Sequence, residues 1–442
     1  MKNTSFFHSS LSTTSGRRSF LKQVVAWGGV ATCAQLGLQA APLGSRQSSS
    51  PPENGRSLGL GRGKLLMVKE DIVESKDQVT GVRVLRLAGG DFDNVHPYFT
   101  STSFFGDAAD QVVFFSNRSG RFELYLLEIH SGRLVQLTEG SEISPSGACL
   151  GRTGQLFYFD GPELHCLKIE GMKDQVLYRV PTGFEAHLPT CTADGRYVAF
   201  AYKERMAQST ETNRIYSTMA ETYFQRPRSV IMRIDSSNGE AVAAWGEQTW
   251  ISHVIIHPTD PNLILFCHEG GSTNVTQRMW TVDLNEHLAR QAKPLYLQKP
   301  GESCVHEYFT RQGDVGFQYT LESGEQREEF NAFIRPNGTW IRQYRLPGAR
   351  PGHMQSNSDN SLVVGDCGYL GPGDKEGNRY MSLMTHVNGR VVVRRLCQHR
   401  SSWKTQHSHP HPVFSPDDKW VLFNSDERGH HNVYVAEVAS IR

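Results

Sequence analysis

Near its C-terminus the chain reads Gln406-His407-Ser408-His409-Pro410-His411-Pro412. A proline disfavours the helical region for the residue before it, so His409 and His411 are expected to be extended. In an extended chain residues i and i+2 project to one face, and two imidazoles then converge with Gln406 in reach. That spacing is half of a metal site written on a strand. A proline-rich polar loop whose histidines decorate the surface is the competing reading, and this stretch alone does not separate the two.

The elements that would hold such a site are repeats. Val112 to Gly132 is a short apolar strand, a polar turn and a second strand carrying an aromatic, and Trp420 to Val438 has the same shape. Weaker copies pair Gly154–Asp160 with Leu164–Ile169, Asp194–Phe200 with Val230–Asp235, and Pro261–Cys267 with Arg278–Asp283. Two more pair Asp314–Tyr319 with Phe330–Ile334, and Asn360–Asp366 with Tyr380–Met384. Units of about 40 to 60 residues fit four-stranded propeller blades, and seven are present. The fold expected is all-β, a seven-bladed β-propeller. The strand Gly81–Gly89 has no hairpin partner of its own and is expected to close the last blade near Val433. Only Glu204 to Tyr223, inside the third blade, has a helical pattern.

In a propeller a ligand sits over the central channel, so site residues should come from segments that open blades. His306 opens the fifth blade, His353 the sixth, and His409 with His411 the seventh; His268 ends an apolar strand of the fourth. Each alone reads first as a hydrogen-bonded structural histidine. As a cluster, three imidazoles and an amide oxygen without thiolate suit a divalent ion such as Mn, Fe, Ni or Zn.

The rest of the composition bounds the surroundings. With 442 residues, 38% of them hydrophobic, the chain can bury one large core or two ordinary ones. Its 46 basic and 45 acidic residues leave a net charge of +1, which offers no global field for nucleic acid or a membrane surface. No run of eighteen apolar residues suggests a membrane span. Arg17-Arg18-Ser19-Phe20-Leu21-Lys22, a modest apolar stretch and Ala40-Ala41 read as a twin-arginine signal over residues 1–41, with the Tat export machinery as a partner and the periplasm or exterior as destination. Residues 42–76 are expected to be a flexible tether and 77–442 the propeller. Seven cysteines follow Cys33 with no CxxC pair, which argues for buried thiols and against a disulfide framework.

Cys267-His268-Glu269-Gly270, Arg278-Met279-Trp280, Gly301 to Glu307, His399 to Trp403 and Gln406 to Pro412 resemble oligogalacturonate lyases, a family of seven-bladed pectin-degrading enzymes. The resemblance runs through nearly all of the chain after residue 77. It implies a divalent cation, typically manganese, held by His306, Gln406, His409 and His411, with His268 as the base. It also implies short galacturonate oligomers as substrate, cleaved by β-elimination. Lys203 to Tyr223 and Gly365 to Asn378 depart from the family pattern, as does the export signal.

That chemistry suits the residues. The C5 proton is weakly acidic because the neighbouring carboxylate opposes a carbanion; a cation on the carboxylate neutralises it, and a neutral imidazole takes the proton. Arg278 could clamp a uronate carboxylate or form a surface ion pair, and His353 and Lys404 are substrate contacts of the same kind. Glu269 and Glu307 could orient their neighbouring histidines or face solvent. The second reading is a non-enzymatic periplasmic propeller, TolB-like, that binds a protein or a glycan. A propeller-capped serine peptidase is excluded, because no Gly-x-Ser-x-Gly elbow occurs.

Overall fold

The computed structural model describes residues 67–438, apart from 141–142, 146, 209–215, 272–273, 287–290, 347–351 and 372. The signal expected over residues 1–41 and most of the tether lie outside the described residues.

Seven antiparallel sheets follow one another along the chain, each a meander of four or five strands. Both middle strands of a blade are packed on two faces, so they are written as unbroken apolar runs. Gln111–Ser116 buries Val112 to Phe115 completely, and Glu123–Glu128 lies beside it. Outer strands such as Trp340–Arg345 are wetted on one side and alternate instead. Every pair of middle strands expected from the repeats is present.

Strand Arg83–Ala88 pairs antiparallel with Asn432–Glu437, with Leu85 opposite Val435 and Ala88 opposite Val433. This is the closure expected, and it covers the edge that the last blade would otherwise expose. The propeller begins earlier than residue 77, however. Met67–Lys69 pairs with Arg133–Gln136 on the first blade, and Val73–Lys76 pairs with Arg83–Ala88 on the last. These edge strands are mostly polar and exposed, so nothing in their hydropathy marks them as part of the fold.

The core is not one mass but a ring of seams between adjacent blades. One seam joins Val364, Met381 and Leu383 of blade six to Phe414, Val421 and Phe423 of blade seven. Another joins Phe114 and Tyr125 of blade one to Leu422 and Val435 of blade seven. The remaining five seams join blades one to two, two to three, three to four, four to five and five to six. Tyr98, Phe99, Tyr308 and Val413 form a separate cluster in the channel. The helix expected in blade three is short, Met219–Gln225. No helix among the described residues is long and apolar enough to cross a membrane. All seven described cysteines are free thiols, five of them buried.

Candidate functional site

The innermost strands line the channel, and three carry the same irregularity. Register shifts fall between His187 and Thr190, between Ser252 and Ile255, and between Val305 and Tyr308. Inside each bulge one non-glycine residue adopts positive φ: Leu188 at 50°, His253 at 46° and His306 at 58°. A bulge leaves a residue unpaired and re-aims its side chain, and a β-sheet residue held at positive φ is strained. Blades three, four and five thus use one device to turn a side chain inward.

Three histidines meet at the mouth. Single ligand atoms of His353, His409 and His411 all lie within 4.8 Å of one another, and all three residues are buried. The local route to this differs from the extended strand expected. Gln406–Ser408 is a 3-10 turn, closed by a capping box in which Thr405 Oγ1 accepts from Ser408 N and Ser408 Oγ accepts from Thr405 N. His409 is extended, but His411 sits at φ 49°. A turn and a left-handed residue produce the convergence that alternation was expected to produce. Gln406 comes with it, its Nε2 lying 3.3 Å from His411 Nε2.

His353 was expected as a substrate contact and His306 as a ligand; His353 lies within the compact group and His306 at its border. The His306 ring borders the cluster, 4.4 Å from that of His353, with Nδ1 3.2 Å from Gln318 Oε1. Behind His353, Asp366 Oδ2 is 2.7 Å from Nδ1, while Oδ1 accepts from the His353 backbone at 2.9 Å. Gly352 makes this possible: a Cβ there would stand 1.8 Å from Asp366 Oδ1. Asp366 was not foreseen; no local motif points to a carboxylate thirteen positions from its partner.

Burial sets the charge state. It pushes His353 down to about 3 and His409 to about 4, with neighbouring imidazoles adding to the effect, and it holds His411 and His306 well below the ordinary range. Burial raises Asp366 to about 8. The imidazoles are therefore neutral and their lone pairs free for a cation. His409 Nδ1 is buried without a hydrogen-bond partner. Neutral nitrogens, an amide and an orphaned ring nitrogen fit a borderline divalent ion.

His268 is not at the cluster. Along Leu263–His268 side chains alternate, so Cys267 and Glu269 face one way and His268 the other. Its Nε2 is 2.8 Å from Glu247 Oε1, and its ring lies 4.7 Å from Trp280. The inward histidine of this blade is His253, whose Nε2 is 3.4 Å from Glu269 Oε2. His253, Cys267 and Glu269 also form a compact group, with the Arg278 guanidinium 3.1 Å from Glu269.

Arg278, expected as a clamp or a surface pair, is instead a buried anchor. Nε and Nη2 donate to the two oxygens of Glu307 at 3.1 and 3.2 Å, and Nη1 donates to Glu269 at 3.1 Å. Glu269 and Glu307 serve this guanidinium and not the histidines beside them in sequence. Lys404 is exposed at the rim next to Trp403, whose ring lies 4.7 Å from that of His409. The floor under the histidines is Tyr98, whose ring is 4.8 Å from His411, 5.6 Å from His253 and 6.0 Å from His353. Tyr98 sits in the connection between Asn94–Val95 and Gln111–Ser116, two paired strands of blade one, with no signal in its neighbours.

Comparison with known proteins gives a consistent result. A family model described as oligogalacturonate lyase matches residues 61–441. The oligogalacturonate lyase of Dickeya dadantii is 28% identical over 379 residues, covering 82% of this chain and 95% of its own. The oligogalacturonide lyase of Pectobacterium atrosepticum is 28% identical over 380 residues with the same coverage. A solved oligogalacturonate lyase in complex with manganese superposes with a TM-score of 0.75 at 27% identity, over 86% of this chain and all of the other. An oligogalacturonate lyase from Vibrio parahaemolyticus gives 0.74 at 26% identity, over 85% of this chain and 99% of the other.

Proposed function

The chain belongs to the oligogalacturonate lyase family, and on that premise we propose that it cleaves short galacturonide chains by metal-assisted β-elimination, with His353, His409, His411 and Gln406 holding the cation and His306 taking the C5 proton. The convergence of three neutral imidazoles carries this reading. Manganese is the ion present in a solved relative, and the donor set suits it. When bound, such an ion would neutralise the uronate carboxylate and lower the acidity barrier at C5.

His306 suits the proton transfer for three reasons. It is part-buried where the cluster is buried, so substrate has access to it. Its Nδ1 is engaged by Gln318, and burial keeps the imidazole neutral with a free lone pair on Nε2. Arg278, through Glu307, holds the strand that carries His306 and adds a positive field beside it. His268 was expected in this role, but its pairing with Glu247 favours a structural part. Lys404 is proposed as a rim contact for a uronate carboxylate.

The test is to strip the protein with a chelator and follow the ultraviolet absorbance of the conjugated product from digalacturonate, before and after adding manganese. A metal-dependent rise is expected. Stoichiometric metal without a rise would reject the substrate, and neither metal nor turnover would favour the binding propeller. Export through the Tat pathway is proposed on the leader sequence alone; a reporter fused to residues 1–41 that stayed in the cytoplasm would reject it.

A further inference from the structure

Each blade starts at the channel and works outward, so the seven innermost strands run in one direction and the channel has two unlike mouths. His353, His409 and His411 come just before the strands Met354–Ser356 and Val413–Phe414, at the leading ends. At the trailing ends lies a second cavity, of about 230 Å³. Every blade contributes to its wall, from Ser101 in blade one and Arg152 in blade two to Phe414 in blade seven. Phe99, whose ring is 5.1 Å from that of His353, and Tyr308 plug the channel between the two.

This second cavity favours negative charge. Arg152 and Arg311 line it, and among the described residues no Asp or Glu does. Arg311 is fixed in place: Nη2 donates to the backbone oxygens of Phe414 and Ser415 at 3.0 and 2.8 Å, and Nη1 to that of Pro416 at 3.0 Å. Asp418, which does not line the cavity, stands 3.3 Å from Nη1 and matches this charge. The exposed Arg152 guanidinium has no hydrogen bond or ion pair among the described residues. Burial holds Arg311 below its ordinary range, and the Arg152 charge adds to this against Asp418. Two guanidinium groups and one carboxylate leave one positive charge over, in a concave wall where the field on an anion is focused.

Hydroxyls surround this charge. Those of Thr100, Ser101 and Thr259 line the cavity and make no hydrogen bond among the described residues. A guanidinium takes a carboxylate through two parallel hydrogen bonds, and a hydroxyl can both donate to and accept from the hydroxyls of a sugar. Pockets for drug-sized ligands start at about 300 Å³, so this one has room for a single ring and not for a chain. We propose that the second mouth binds a sugar acid, one hydroxylated ring bearing a carboxylate. Arg152 takes the carboxylate, and Thr100, Ser101 and Thr259 take the ring hydroxyls. The site is separate from the catalytic mouth and does not depend on the lyase reading.

The experiment titrates the full chain in manganese, by calorimetry, against D-galacturonate, D-galactose and inorganic phosphate. Galacturonate has no glycosidic bond, so no turnover obscures the heat. It should bind saturably, with galactose and phosphate at least about 10-fold weaker. Arg152→Ala, a change at an exposed side chain, should weaken galacturonate binding at least about 10-fold. Lys404→Ala, at the catalytic rim, should leave that binding in place. Undiminished binding by Arg152→Ala would put the sugar at the catalytic mouth and overturn the proposal. So would galactose bound as tightly as galacturonate, phosphate bound more tightly, or no binding of galacturonate at all. The lyase reading is read separately, from product absorbance with digalacturonate, and none of these outcomes bears on it.

Discussion

Asp366 Oδ2 stands 2.7 Å from His353 Nδ1, with both side chains buried at the head of blade six. A carboxyl group hydrogen-bonded behind a ligating imidazole fixes its ring orientation. The Asp366→Asn variant should therefore bind manganese about 10- to 100-fold more weakly, as read by calorimetry. Unaltered affinity would mean that His353 is oriented by packing on Tyr98 and His306 alone.

The roles proposed for His306 and His268 can be separated by substitution. His306→Ala should retain manganese and lose turnover by about 100- to 10,000-fold. His268→Ala, which removes only the Glu247 pairing and the Trp280 contact, should keep most of its activity. The opposite ranking in a product-absorbance assay would restore His268 as the base.

Arg278 is 8% exposed and bridges two buried carboxylates. In Arg278→Met both carboxylates lose their partner in a dry site, which should cost about 3–5 kcal/mol of stability. Urea unfolding measures this. A change near zero would show that the carboxylates take up protons or water at little cost.

Away from the site, the His386 ring stacks 3.7 Å from Tyr344, and neither ring nitrogen has a hydrogen-bond partner. Burial, with Arg342 nearby, pushes it down to about 4 from an unfolded value near 6.5. Below the unfolded value the unfolded chain binds a proton that the folded chain refuses, so stability falls as pH drops from about 6.5 toward 4. His386→Phe keeps an aromatic against Tyr344 and removes the titration. Its melting temperature should drop less than that of wild type between pH 7.5 and pH 5; equal drops would place the acid sensitivity elsewhere.

Most of the fold was legible because its repeating unit is local. A middle strand buried on both faces, such as Val112 to Phe115, must be an unbroken apolar run, and seven such pairs at propeller spacing leave few alternatives. Closure by Arg83–Ala88 was legible for the same reason: an apolar strand without a partner needs one. The edge strands Met67–Lys69 and Val73–Lys76 carry no such mark, since a polar edge strand and a polar tether have the same composition.

At the site, the residue types and their blades could be read, and their roles could not. Sequence by itself determined that His306, His353, His409 and His411 come to the channel, because each opens a blade. Tertiary structure alone decided which three share a point, since that depends on bulges that rotate His253 and His306 and on a left-handed His411. It also decided that His268 faces away, that Asp366 stands behind His353, and that Tyr216 reaches Gln406. Periodicity assigns a face within one strand. Contacts between blades 190 positions apart follow from the closure of the ring, which no local pattern encodes.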